Sequence, residues 1–518
     1  MGDVYKNFKK YYPLLWVVLY LTPFFAFDYL AQQDTPNHMA ITKILNDLDN
    51  GAEANENYDK NLKFAPYALY YFVTKNLIHV LTPAWAHKLV YLFIFLASGF
   101  FIFKTLALTG NYDHVKVFLL LPLAYSTNFV MGFAPFQLSV PFGLGAAYLL
   151  LRELQTSAGF KNFALIALAL LLACLAHPLG LAYVGFALGA LLLGSFASYK
   201  KWLALAAASV PALTLQLATM TKQEFEPVYA TLYEKTVNLM LYPFAAIDGS
   251  HYLLNLIIPG VIVTVCAVFV FLNRRSYLWH QRENRQYFTL AVTAVLLVGL
   301  YFALPYKPNH DSVYIDFRLA SLIWVFMILA LPTMKSRLFS LVVQGVLVFH
   351  IHSVYKMHRS YNDNVEKVVQ IAERMEKGKT FIPFNYEFVA DDYLLYVVKF
   401  NNRESRRLFP ATSFVHHLTY INILNGGASP FLTFSPTLKW IPIVNKTPTF
   451  DRLIITDIFR PTSRMLGFAL RGQLDVDYFV VYGGSNVALS TASRLSKLYP
   501  LDFKSEENDY FVFRTRRF

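Results

Sequence analysis

Long apolar stretches, each closed by a short polar or basic segment, recur along most of this chain. A membrane crossing takes about 20 apolar residues, and somewhat fewer where snorkelling side chains flank them. The pattern therefore predicts a polytopic α-helical membrane protein. About eleven spans lie near residues 12–28, 86–108, 115–132, 136–151, 162–177, 179–198, 202–219, 252–272, 286–304, 316–333 and 337–357.

Basic residues in the short loops between these stretches indicate their orientation. Lys6 precedes the first span, Lys200 and Lys201 fill a middle loop, and further arginines lie between Arg274 and Arg285. With an odd number of spans, all of these loops fall on the N-terminal side, which the positive-inside rule identifies as the cytoplasm. We predict a cytoplasmic N-terminus and an external C-terminus.

Residues 64–81 are apolar enough to suggest a further span. A crossing there would move the loops at Lys200 and Arg274 to the outside. We therefore predict an interfacial helix, whose cluster of tyrosines from 67 to 71 suits the headgroup level. The predicted external segments are then about 29–85, 220–251, 305–315 and everything after about 358.

Two domains follow from this map. Residues 1–357 form the predicted transmembrane domain, with its first external loop at about 29–85, and residues 358–518 form an extracytoplasmic soluble domain. Alternation of helical and strand patterns in the second part predicts an α/β fold. The predicted elements are a helix at 364–375, strands at 380–384 and 478–482, a helix at 488–498 and a hairpin at 501–504 and 510–515.

Composition narrows the function classes. Of the 518 residues, 56% are hydrophobic and 15% are charged, against about 25% charged in soluble domains. The net charge of +13 arises from cations spread between apolar stretches, which is not a nucleic-acid footprint. Cys174 and Cys266 lie inside apolar stretches and form no disulfide framework. No glycine-rich phosphate loop or metalloprotease motif is present, which argues against a nucleotide-driven cytoplasmic enzyme.

Acidic and histidine side chains stand directly beyond the first span. Asp28, Asp34 and His38 follow the apolar run that ends near Phe27. A charged group at the membrane surface is costly unless it is solvated or paired, and so these residues are functional candidates. The alternative for Asp34 is a helix cap, since the next helix is predicted to begin near Pro36.

Further candidates lie on the same predicted face. Arg318 lies at the start of a predicted span, two residues after Asp316. Its structural alternatives are a pair with that carboxylate or a side chain that extends to the membrane interface. Its functional hypothesis is a phosphate clamp, because a guanidinium binds phosphate oxygens with two hydrogen bonds. The other candidates are Lys307, also for phosphate, and the possible cavity residues His177, His310 and Asp311. A lone histidine at a proline turn is often structural. The adjacent His416 and His417 would point to opposite faces of a strand and are a poor metal pair.

Taken together, this layout resembles the GT-C superfamily of integral membrane glycosyltransferases, and most of all its poorly characterised bacterial branch. The chain has the superfamily's long first external loop. Asp34 to His38 has the Asp-x-x-x-His form seen in oligosaccharyltransferase-like members, and Pro66 to Tyr71 is similar to the Pro/Tyr-rich segment of that loop. The chain lacks both the Trp-Trp-Asp motif and the adjacent Asp-Glu pair of better-known members, so the resemblance specifies neither acceptor nor metal.

The resemblance implies an inverting transferase that takes a sugar from a polyprenyl-phosphate donor in the membrane lipid. Asp34 would be the general base, with Asp28 as second choice, and His38 would orient Asp34 or help to hold a divalent metal such as Mg or Mn. Arg318 and Lys307 would neutralise the departing phosphate. The acceptor would be a glycan, lipid or protein of the cell envelope, reached outside the cytoplasmic (inner) membrane.

Two other classes stay open. A non-catalytic GT-C-like scaffold could hold an assembly partner through the C-terminal domain, since one aspartate can persist after activity is lost. A transporter would place acidic groups at mid-membrane, where this chain has almost none.

Overall fold

A computed structural model of the chain describes most of its residues. The described ranges are 2–51, 57–110, 112–156, 159–219, 227–241, 243–244, 252–277, 285–306, 315–333, 336–386, 397–400, 403–407, 416–429, 432, 442–446 and 463–515.

Helices dominate the described chain. Those of the first 300 residues are α1 (Gly2–Ala26), α2 (Thr35–Asp49), α3 (Leu69–Leu77), α4 (Pro83–Leu108), α5 (His114–Leu120), α6 (Thr127–Val130), α7 (Ala134–Thr156), α8 (Phe160–Ala176), α9 (Pro178–Gly194), α10 (Tyr199–Thr219), α11 (Leu232–Leu241), α12 (Tyr252–Leu272) and α13 (Arg285–Ala303). They are followed by α14 (Ile315–Ala330), α15 (Arg337–Arg374), α16 (Tyr420–Asn425), α17 (Ser463–Leu470) and α18 (Asn486–Leu495).

Nine of the predicted spans coincide with apolar helices. Among the described residues, α4, α7, α10, α13 and α15 are long and apolar enough to cross a membrane. Shorter apolar helices occupy Tyr12–Ala26, Phe160–Ala176, Pro178–Gly194 and Ile257–Leu272. A tenth prediction, 316–333, corresponds to α14, whose residues are mostly buried among the other helices.

The stretch 115–132 is not the single helix that its hydropathy predicted. It consists of α5, a 3₁₀ turn at Leu121–Tyr125 and the four-residue α6. Pro122 lies at the start of the 3₁₀ turn, where its missing N–H leaves one helical hydrogen bond unmade. Irregular backbone at membrane depth is tolerated where protein surrounds it or a cavity adjoins it. Both conditions are met here, since Leu120 to Met131 are largely buried and several of these residues line a cavity.

Residues 64–81 contain only the nine-residue helix α3. At 1.5 Å per residue a helix of that length rises about 14 Å, which is less than half of a bilayer core of about 30 Å. α3 lies against α2 and α4, so this segment belongs to the layer of helices that covers one end of the bundle.

Two groups of polar contacts join residues that the sequence assigns to opposite sides of the membrane. On the predicted external side, Nη1 of Arg318 at the start of α14 lies 2.9 Å from Nε2 of His177, at the turn between α8 and α9. On the predicted cytoplasmic side, Lys201 donates to the backbone oxygen of Glu153 at 2.9 Å, and the Asn162 amide donates to the Glu153 carboxylate at 3.2 Å. The structure therefore brings the candidates Arg318 and His177 together.

A small mixed sheet terminates the chain. Strands β2 (Phe381–Asn385), β6 (Tyr478–Tyr482), β7 (Leu501–Lys504) and β8 (Tyr510–Arg514) adjoin in the order β2-β6-β8-β7. β2 and β6 are parallel, whereas β8 runs antiparallel to both β6 and β7. These strands and α18 match the predicted elements. A separate hairpin pairs β3 (Val397–Phe400) with β4 (Arg403–Arg407).

The predicted first external loop and the C-terminal region are in direct contact. Strand β1 (Tyr58–Lys60) pairs antiparallel with β5 (Ile443–Asn445). The Thr419 hydroxyl donates to the Asn37 side-chain oxygen at 2.8 Å, which connects the 3₁₀ turn before α16 to α2. Helix α15 is continuous across residue 357, the predicted domain boundary, so the predicted helix at 364–375 is the extension of the last apolar helix.

The orientation prediction has a direct test. A reporter that is active only outside the cytoplasm, fused after the C-terminal residue, should give a positive result in intact cells. A cytoplasm-active reporter at the same place should be silent. The opposite pattern would invert the topology and would move Asp34 and Arg318 to the cytoplasmic side.

Candidate active site

Backbone hydrogen bonds place Asp34 against the broken segment between α5 and α7. The Gln33 N–H donates to the Val130 carbonyl at 2.8 Å, and the Asp34 N–H donates to the Met131 carbonyl at 3.1 Å. The next residue, Gly132, has φ +71, and a Cβ there would lie 2.9 Å from the backbone nitrogen of Asp34. The position of Asp34 thus depends on a residue without a side chain.

Gly132→Ala should reduce stability by more than the roughly 1–2 kcal/mol that a left-handed conformation costs a non-glycine residue. The added methyl group must also displace the Asp34 backbone. Gly110→Ala is the matched control, because Gly110 has φ +62 with no atom within 4 Å of its Cβ position. The melting temperatures of the two variants in detergent measure the difference. Equal losses would contradict a close approach at Gly132.

The Asp34 carboxylate is partly enclosed, with 16% of its side chain exposed. Oδ1 of Asp34 accepts a 3.3 Å hydrogen bond from the side-chain amide of Gln33. The side chain makes no capping hydrogen bond to α2, so the cap alternative does not describe this carboxylate. Burial raises its pKa to about 7, although the Gln33 hydrogen bond and the Arg318 charge both lower it. A carboxyl that titrates near neutral pH is suited to general-base catalysis.

His38 lies beside this carboxylate in sequence, but its side chain points into a group of tyrosines. Its Nδ1 is 2.7 Å from the Tyr71 hydroxyl, and its ring also lies near Tyr67 and Tyr70. Burial, followed by the nearby Arg318 charge, lowers the pKa of His38 to about 3. The hydrogen bond to Asp34 comes from the His38 backbone N–H, which donates to the Asp34 carbonyl at 3.1 Å. This is the main-chain hydrogen bond of the first turn of α2, whereas the imidazole itself faces the Tyr71 hydroxyl.

His416 joins the site from the C-terminal region. It precedes the 3₁₀ turn at His417–Thr419 and does not lie in a strand, so the opposite-face argument for a strand does not apply to the histidine pair. The His416 Nε2 atom lies 3.6 Å from Asp34 Oδ1. Burial lowers the pKa of His416 to about 3, and so the ring is neutral at pH 7 and forms no ion pair with Asp34. The sequence offered no pattern that would link two residues so far apart.

Arg318 approaches the same region from α14. Its Nη1 lies 2.9 Å from His177 Nε2, and its guanidinium carbon lies 4.1 Å from the centre of the Phe133 ring. Nε has no hydrogen-bond partner among the described residues. The Asp316 carboxylate instead faces Lys235 at 4.0 Å, so the alternative of an Arg318–Asp316 pair is not what forms.

An apolar cavity of about 550 Å³ lies between α1, α4, α7 and α14, and Arg318 is one of the residues that line it. Its walls include Leu14, Phe95 and Val325, while Asn128 and Arg318 supply polar groups. This volume lies within the roughly 300–1,000 Å³ of typical ligand sites. Asp34 is not among the residues that line the cavity. The cavity therefore reaches the arginine but stops short of the carboxylate.

Of the four remaining candidates, the structure describes only Asp28. Asp28 is exposed at the surface. Lys307, His310 and Asp311 fall outside the described residues. Within the described ranges, no three His, Cys, Asp or Glu side chains converge as metal ligands.

The chain matches no protein family profile and no curated protein. Its structure is similar to that of ArnT from Cupriavidus metallidurans bound to undecaprenyl phosphate, at a TM-score of 0.49 and 13% identity over 98% of both chains. It is also similar to the arabinofuranosyltransferase AftD from Mycobacteria, at a TM-score of 0.48 and 12% identity. That match covers 98% of this chain and 40% of AftD.

Proposed function

We propose that this chain is a GT-C-type glycosyltransferase that moves a sugar from a polyprenyl-phosphate donor to an extracytoplasmic acceptor. One observation carries the proposal: an apolar cavity ends at a guanidinium whose charge acts on a nearby, partly enclosed carboxylate. A polyprenyl chain needs an apolar groove, its phosphate needs a cation, and the transfer needs a base. The three features meet at one end of the bundle.

The chemistry assigns one role to each group. Asp34 takes the proton from an acceptor hydroxyl, and the resulting oxygen attacks the anomeric carbon of the donor sugar. The bond between that carbon and the phosphate oxygen breaks, and the phosphate leaves with the bonding electron pair. Arg318 stabilises the charge that develops on the phosphate. Attack opposite the leaving group inverts the anomeric configuration.

Burial gives Asp34 a suitable base strength. An ordinary aspartate has a pKa near 3.9 and holds a proton weakly, whereas the pKa of about 7 makes Asp34 a stronger base that is still substantially ionised near neutral pH. The charge of Arg318 keeps this pKa from rising further. The arginine therefore serves the base as well as the leaving group.

The test is transfer in a defined system. The purified full-length protein in liposomes is given polyprenyl-phosphate-linked sugars, with candidate envelope glycans and lipids as acceptors, and products are followed by mass spectrometry. Transfer should require the lipid-linked donor and should not occur with nucleotide sugars. Wild-type protein that binds the donor but transfers nothing across the panel would favour the scaffold alternative.

A further inference from the structure

One N–H group faces each of the two ring nitrogens of His177, but the ring can accept only one hydrogen bond. The backbone N–H of Leu179 donates to Nδ1 at 3.1 Å, and Nη1 of Arg318 lies 2.9 Å from Nε2. A neutral imidazole has a single acceptor nitrogen, and a protonated one has none. The ring is buried against a guanidinium, which disfavours protonation. One of the two contacts is therefore unsatisfied.

The main chain decides which contact fails. His177 is the N-cap of α9, and the direction of the Leu179 N–H is fixed by the first turn of that helix. Nδ1 must accept that hydrogen bond, so Nε2 carries the proton. Arg318 has donors only. The Nε2–H of His177 and the Nη1–H of Arg318 thus face each other as two donors without an acceptor between them.

We infer that His177 and Arg318 together bind the phosphate of the lipid donor, with His177 Nε2–H as the second donor to its oxygens. An anion placed between them would accept from both groups and remove their conflict. The inference rests on the proposed function, because it names the phosphate subsite of the same reaction. Arg318 lines the apolar cavity, so a lipid phosphate can reach it, and its unpartnered Nε adds a third N–H group.

His177 also has a structural role that a test must separate from binding. Its Nδ1 caps α9, so His177→Ala would lose both the cap and the donor. Asparagine is among the best N-cap residues, so His177→Asn retains an acceptor for Leu179 N–H while it replaces the imidazole, and with it Nε2–H, by a shorter side chain. His79→Asn is the matched control, because His79 is an exposed histidine in another predicted external segment.

Binding of a polyprenyl phosphate to the full-length protein in detergent is the readout, since it needs no sugar and no acceptor. His177→Asn should raise the dissociation constant about tenfold or more, the effect of losing one hydrogen bond to a charged group. The melting temperature without ligand should stay at the wild-type value. His79→Asn should bind as wild type does. The polyprenol without phosphate should bind weakly to all variants, and inorganic phosphate should compete poorly because it lacks the tail.

The outcomes separate this inference from the proposed function. Unchanged binding in His177→Asn, or equal binding of the phosphate-free polyprenol by the wild type, would overturn the phosphate subsite even if sugar transfer occurs. A lower melting temperature with unchanged binding would assign His177 a capping role alone. Weakened binding in His177→Asn supports the subsite even if the wild type transfers no sugar, an outcome that would reject the transferase alone.

Discussion

Asp34→Asn should lower kcat by about 10²–10⁴-fold, the usual contribution of a general base. Asparagine has nearly the same shape but cannot take a proton from the acceptor. The enclosed site and the backbone bonds of residues 33 and 34 should persist, so expression and donor binding should remain close to wild type. The measurement is initial transfer rate at saturating donor. Full activity in Asp34→Asn would remove this residue from the mechanism, and Asp28→Asn would then test the second candidate.

The pH dependence of the wild type follows from the same carboxyl. The base must be ionised, and burial raises its pKa to about 7. The transfer rate should therefore be low at pH 5.5, rise through about pH 7 and level off above pH 8. His38 and His416, whose pKa values are about 3, stay neutral over this range and add no second step. A rate that is flat from pH 5.5 to 8.5 would contradict Asp34 as the base.

As pH rises, the free energy of unfolding should fall while the transfer rate increases. The folded protein holds the Asp34 proton more tightly than the unfolded chain, whose aspartate has a pKa near 3.9. Ionising the buried group therefore costs stability, and the cost grows as pH rises from about 4 to about 7, to at most about 4 kcal/mol. Asp34→Asn removes this cost, so its melting temperature should exceed that of the wild type at pH 8.5 and approach it at pH 5. A loss of stability at both pH values would indicate a structural carboxylate.

Hydropathy predicted most of the helices because a membrane span must satisfy its backbone hydrogen bonds within its own segment. The length of an apolar stretch therefore indicates a helix without information from the rest of the chain. The same measure failed at 115–132, where Pro122 stands inside an apolar run. Prolines also lie inside α1, α7, α10 and α12, which continue through them, so a proline alone does not indicate a break. The break at Pro122 supplies the carbonyls that accept from the N–H groups of residues 33 and 34.

The partners inside the site could not be read from the sequence. His177 and Arg318 are 141 positions apart, and Thr419 and Asn37 are 382 apart. No periodicity relates such residues, because helix packing alone decides which spans are neighbours. Asp316 is close to Arg318 along the chain, yet it faces Lys235 on another helix. The predicted orientation placed His177 and Arg318 on the same side of the membrane, and the structure brings these two residues together.

Arg318→Ala should raise the donor KM by roughly 10–150-fold, which corresponds to about 1.5–3 kcal/mol for a hydrogen bond to a charged group. The variant loses the cation at the end of the cavity and the contact with the Phe133 ring. It should also raise the Asp34 pKa, since the Arg318 charge lowers that value in the wild type, so the pH profile of the rate should move to higher pH.

Arg318→Lys separates charge from geometry. Lysine keeps the positive charge but lacks the planar fork that holds two phosphate oxygens. It should therefore retain most of the wild-type pH profile while recovering only part of the donor affinity. Arg359→Ala is the control, because Arg359 is an exposed arginine on α15. If Arg318→Ala leaves both the donor KM and the pH profile unchanged, the guanidinium contacts neither the donor phosphate nor the electrostatic surroundings of the base, and the cavity end must bind something other than a phosphate.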